Sequence, residues 1–145
     1  MFADSLTLAR ARREFFVLTG FRESDYSNLI AKFKVGPFPL YFYNFKSRRD
    51  AVAIHEVHHI LTGYDTSLIG EGQVSAWELG SGFKPTGLAT TYILLGAATG
   101  LILDRKKTWA AFRRGLRSRN LYGQTLTPKV LLKTLGQLRR EYGLA

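Results

Sequence analysis

With 46% hydrophobic and 22% charged residues, the 145-residue chain has the composition of one globular domain, and wholesale disorder is excluded. Twenty-one Lys and Arg against eleven Asp and Glu leave a net charge of +10, which points to an anionic partner, either nucleic acid or an anionic membrane surface. The absence of cysteine excludes disulfides, thiolate zinc ligands and cysteine nucleophiles, so any metal site must be built from His and carboxylates. The first fifteen residues hold no apolar run of signal-peptide type, and a cytoplasmic location is expected.

Residues 4 to 19 set Leu6, Leu8, Ala9, Phe15, Phe16 and Leu18 among arginines and stop at Gly20, a pattern that predicts an amphipathic opening helix. Residues 36 to 45, GPFPLYFYNF, carry two prolines among aromatics and predict an irregular apolar lead-in, either core packing or part of a lipid pocket. Ser47 and Asp50 fit a capping box that opens a helix from about Arg48 to Thr62. Its apolar side holds Ala51, Ile54, Val57 and Leu61. Gly63 suits the residue just past that helix, and Asp65 or Thr66 the N-cap of a second helix from Thr66 to Leu79. The two form a helical hairpin with a short loop.

The stretch from Thr86 to Leu103 has no charge over eighteen residues, the lower bound for a membrane span. Its glycines and threonines favour a buried helix or the wall of a lipid pocket, and Gly96 with Gly100 permits close helix packing. Residues 105 to 119 then hold seven basic residues with Trp109 and Phe112 interleaved, a composition suited to a peripheral membrane surface. Nucleic acid is the weaker reading, since no helix-turn-helix, zinc finger or RNA-binding aromatic motif accompanies the charge. Pro128 starts a last amphipathic helix with Val130, Leu131, Leu135 and Leu138.

The chemistry concentrates in HEVHHILTGYDTSLIGE, residues 55 to 71. On one helix His55 and His59 lie about 40° apart around the axis and about 6 Å apart along it, so both imidazoles face one point. Glu71 lies early in the second helix and comes level with His59 when the hairpin folds back. His58 points about 60° to the other side of His55. It is expected to be a helix-face histidine bonded to a neighbour. Glu78, seven residues after Glu71, is a second carboxylate on the same face, expected as a solvated surface residue with a supporting role at the site as the alternative.

The string H-E-x-x-H invokes zinc peptidases, in which the Glu is the general base. The extended peptidase pattern needs Gly at 62 and His at 65, where this chain has Thr62 and Asp65, and all three histidines fall between 55 and 59.

The wider arrangement, His55, Glu56, His59 and then Glu71 after eleven intervening residues, resembles the signature of the coenzyme Q biosynthesis protein four family, H-D-x-x-H followed by E. The wording TGYDTSLIGEGQVSAWEL is similar to that family's segment as well. The resemblance covers roughly residues 48 to 120, and Glu56 stands where the family has Asp. It implies an all-α, single-domain helical bundle over residues 1–145, with a metal-binding helical hairpin and an apolar tunnel for an isoprenoid tail. It further implies ubiquinone biosynthesis by metal-dependent oxidative decarboxylation at ring carbon one of a polyprenylated hydroxybenzoate precursor. The alternative is a non-catalytic scaffold that binds the lipid precursor for other enzymes. The implied metal ligands are His55, Glu56, His59 and Glu71, with Glu56 alternatively a catalytic proton acceptor, and the ion is divalent, zinc first. The implied partners are an isoprenoid quinone precursor, an anionic membrane surface bound peripherally, other quinone-biosynthesis enzymes and a second copy of the chain.

Overall fold

In the computed structural model, the Thr7 side chain caps helix α1 (Leu8–Thr19) by accepting from the Arg10 N–H, and Gly20 ends it. The structure describes residues 1–20, 30–35, 38–43, 46–83 and 88–145, with side chains for 1–20, 49–83 and 90–145. Strands β1 (Ile30–Val35) and β2 (Phe38–Tyr43) follow as an antiparallel pair in which Ile30 faces Tyr43 and Val35 faces Phe38. A hairpin thus replaces the irregular lead-in expected from the prolines. The overlooked signal is the alternation in β1, IAKFKV, which has the period of a strand.

Helix α2 (Lys46–Thr62) carries the three histidines, and the proposed Ser47 cap lies outside the described side chains. Helix α3 (Leu68–Gly80) is capped by Ser67, one or two residues later than expected, because Asp65 is used one step earlier. The Asp65 carboxylate accepts from the Ser67 N–H and hydroxyl, and the Ser67 Oγ then accepts from the Gly70 N–H. Helix α4 (Leu88–Leu103) is the apolar stretch, and α5 (Arg105–Gly115) begins after Asp104, which accepts from the Lys107 N–H. The expected last helix is two: α6 (Pro128–Leu131) and α7 (Leu135–Glu141). Thr134 and Gln137 form a reciprocal capping box that restarts the chain as a new helix.

The helices form the expected bundle, with two cores, and the β1–β2 pair is the one sheet among the described residues. The first joins Leu8, Ala11 and Phe15 of α1 to Ile54, Val57, Ile60 and Leu61 of α2 and to Leu121, Leu135 and Leu138. Truncating one of these leucines costs on the order of 2–5 kcal/mol. The second sets Ala76 and Trp77 of α3 against Ala97 of α4 and Ala111 of α5. Small residues let α3 and α4 approach, since a Cβ on Gly72 would lie 2.4 Å from the Gly100 Cα and one on Gly96 2.4 Å from the Ser75 Oγ. The expected role of Gly96 and Gly100 in close packing is met, within the bundle. Among the described residues no helix is long and apolar enough to cross a membrane.

The end of α2 is buried, and its free carbonyls are met by two arginines. Arg139 donates to the carbonyls of Ile60 at 3.1 Å, Leu61 at 3.0 Å and Phe2 at 3.0 Å and pairs with Asp4, while Arg114 donates to Thr62 at 2.9 Å. Arg114 also lies over the Tyr64 ring, 5.6 Å from its centre. It therefore leaves the set of seven basic residues read as a surface.

Candidate metal centre

Helix α2 turns His55 and His59 to one side, and α3 presents Glu71 from its first turn. Their donor atoms meet: His55 Nε2 lies 3.3 Å from His59 Nε2 and 3.2 Å from Glu71 Oε2, and His59 Nε2 lies 3.3 Å from Glu71 Oε1. Bonds of 2.0–2.1 Å to a tetrahedral ion place donors about 3.3 Å apart, which is the separation of the two imidazole nitrogens and of each from one Glu71 oxygen, Oε2 for His55 and Oε1 for His59. His55, His59 and Glu71 form a group that could hold a metal ion. Glu56, expected beside them, is buried at 7% exposure and stands outside that group.

The outer hydrogen bonds decide which ring nitrogens are available. His59 Nδ1 donates to the Tyr64 carbonyl at 3.1 Å, because a carbonyl only accepts. His55 Nδ1 faces Glu78 Oε1 at 2.9 Å and donates to it. In the neutral ring both Nε2 atoms are then bare, and two lone pairs and a carboxylate converge without a proton among them. Such a cluster is stable only around a cation, either a metal ion or protons taken up in its place.

The electrostatics agree. Burial opposes charge on His55, but the Glu78 carboxylate and the hydrogen bonds of Glu71 and Glu78 outweigh it and hold the imidazolium well above the ordinary histidine range. Burial also opposes ionisation of Glu71 and Glu78, yet His55 with His59 pulls Glu71 down to about 2, and His55 with His58 does the same for Glu78. His58 is lowered by burial.

Sequence reasoning placed Glu78 on the surface, and the structure corrects this. It is 0% exposed, and its Oε1 accepts from His55 Nδ1, from His58 Nδ1 at 2.6 Å and from the Tyr122 hydroxyl at 2.9 Å. His58 is bonded to its neighbours as expected, its Nε2 accepting from the Leu121 N–H at 3.0 Å. Phe15 of α1 stacks on His59 with ring centres 6.0 Å apart. The Tyr64 carbonyl, Tyr122 and Leu121 were missed. None carries a local signal, whereas Glu78 lay two helical turns beyond Glu71 and was within reach of the pattern.

A cavity of about 240 Å³ adjoins the donors, lined by His55 and Glu71 themselves with Val52, Tyr92, Ile93 and Tyr122 among its walls. Its lining is mainly apolar. The sequence matches no family model, no curated protein and no solved structure.

Proposed function

We propose that this protein belongs with the coenzyme Q biosynthesis protein four family and is a metal-dependent enzyme of ubiquinone synthesis. In this reading it removes the carboxyl group at ring carbon one of a polyprenylated hydroxybenzoate. The observation that carries the reading is that the donor group opens on a mainly apolar cavity, because two of its three residues, His55 and Glu71, line that cavity. Two imidazoles and a carboxylate are a donor set that suits zinc, and an ion held by three protein donors would have room for a substrate oxygen. When bound, the ion supplies a Lewis acid that stabilises negative charge on the carboxylate or ring hydroxyl.

The chain's own residues do the rest. His55, His59 and Glu71 bind and orient, and Val52, Ile93, Tyr92 and Tyr122 grip the ring and exclude water. A cavity of roughly 150 Å³ accepts benzene. A space of about 240 Å³ therefore suits a substituted ring and leaves the isoprenoid tail to the apolar surface of α4. The carboxyl carbon leaves as carbon dioxide, its bonding electron pair stays on the ring, and a two-electron oxygen-atom donor supplies the hydroxyl.

Peripheral binding to an anionic membrane is part of the same proposal. Leu94, Leu95, Leu101, Ile102 and Leu103 are exposed on α4, and Trp109 is exposed on α5 beside Arg105, Lys106 and Arg113. Apolar side chains ringed by cations suit a lipid headgroup layer.

A single-turnover assay with a prenylated hydroxybenzoate and an oxygen-atom donor tests the reaction. Loss of the carboxyl group is expected, and substrate that stays bound and unchanged would overturn the enzyme in favour of a lipid-binding scaffold.

A further inference from the structure

Glu78 lies two helical turns beyond Glu71 on α3, touches the donor group through His55, and is the most enclosed carboxylate described around it. Its Oε1 accepts three hydrogen bonds, from His55 Nδ1 at 2.9 Å, His58 Nδ1 at 2.6 Å and the Tyr122 hydroxyl at 2.9 Å. Its Oε2 is buried with no hydrogen-bond partner. Each of those donors has its direction set. His58 takes a backbone N–H on Nε2 and so carries its proton on Nδ1, and a phenol facing a carboxylate donates. An acceptor with three donors and no proton of its own is an anion, and an enclosed anion needs a positive charge nearby.

A cation held by the donor group, across the His55 ring, supplies that charge. We infer that Glu78 is the positioning residue of the metal centre: it holds His55 with Nδ1 protonated and Nε2 aimed at the ion. Tyr122 extends the device, since its ring lines the cavity while its hydroxyl bonds Glu78. A group lodged against Tyr122 thereby bears on the carboxylate that aims His55.

The inference rests on the metal reading above, and the experiment separates the two. Purified wild type and Glu78→Gln are titrated with zinc against a chromophoric chelator, with Glu14→Gln, on the exposed face of α1, as control. Loss of such a partner typically weakens metal binding 10- to 100-fold. That loss is expected for Glu78→Gln, together with a changed visible spectrum after cobalt(II) substitution, while Glu14→Gln binds as wild type does. Equal affinity and an unchanged cobalt spectrum in a folded Glu78→Gln would overturn the inference and leave the metal reading standing. Wild type that takes up no zinc would overturn both. If Glu78→Gln does not fold, long-range nitrogen-15 correlation spectra of the zinc-loaded wild type decide. A proton on His55 Nδ1 supports the inference, and one on Nε2 overturns it.

Discussion

His59 Nδ1 donates to the carbonyl of Tyr64, five residues on, at 3.1 Å, across the turn that joins the two helices of the metal centre. The turn that brings Glu71 round to the histidines is thus also the partner that points His59 Nε2 at them. Gly63 makes the turn possible with φ at +79°, a left-handed conformation that strains any side chain with a Cβ.

Gly63→Ala is therefore expected to destabilise the metal-free protein by about 1–2 kcal/mol, read as a lower urea midpoint. The Cβ would also meet Met1 Cε at 2.7 Å, but that is the far end of a flexible side chain and can move. Zinc affinity should fall too, because the Tyr64 carbonyl shifts with the turn. An unchanged midpoint would remove backbone strain as the reason for glycine here.

Glu56→Gln should retain the zinc content of wild type, whereas His55→Ala, His59→Ala and Glu71→Ala should each lose most of it. The basis is that only the latter three bring donor atoms together. Metal analysis of the four purified variants checks this. Zinc lost from Glu56→Gln would restore Glu56 to the coordination sphere.

The metal-free protein should lose stability on both sides of a window. Glu71 and Glu78 sit at about 2 when folded, against 4.5 ordinarily, so their contribution is present above about pH 4.5 and is lost as pH falls toward 2. His55 runs the other way: raised above 6.5 in the folded state, it stabilises below that pH, and the gain is lost as pH rises through its folded value. Urea midpoints across the range should therefore rise from pH 2 to about 4.5 and decline above 6.5. Added zinc, replacing the proton on His55, should remove the decline at high pH. A midpoint indifferent to pH below 4.5 would contradict the ion pairs.

Flotation with liposomes tests the surface of α4 and α5. Binding should require anionic lipid and weaken with salt, and Ile102→Asp, at an 84% exposed position, should reduce it severalfold without altering zinc content. Equal flotation with neutral lipid would leave the basic residues without a membrane role.

What could be read from the sequence was what depends on helix period and near neighbours. His55 and His59 face one point because they are four residues apart on a helix, and Glu71 joins them because Gly63 ends that helix and a cap within a few residues starts the next, at Ser67 where Asp65 or Thr66 was expected. The amphipathic opening helix, the two helices of the metal centre and the close packing at Gly96 and Gly100 follow from the same short-range rules.

The long-range contacts were decided by the tertiary structure alone. Glu78 looks like a surface carboxylate on its own helix until His55, twenty-three residues earlier, and Tyr122, forty-four later, close around it. Arg114 looks like a member of a basic face until the buried carbonyls at the end of α2 claim it from fifty-two residues away, and Arg139 reaches the same carbonyls from seventy-eight. Periodicity shows which residues share a side of one helix, but the fate of a charge depends on what the rest of the chain lays over that side. For this protein the donor triad was written in local spacing, and the carboxylate behind it was settled by burial.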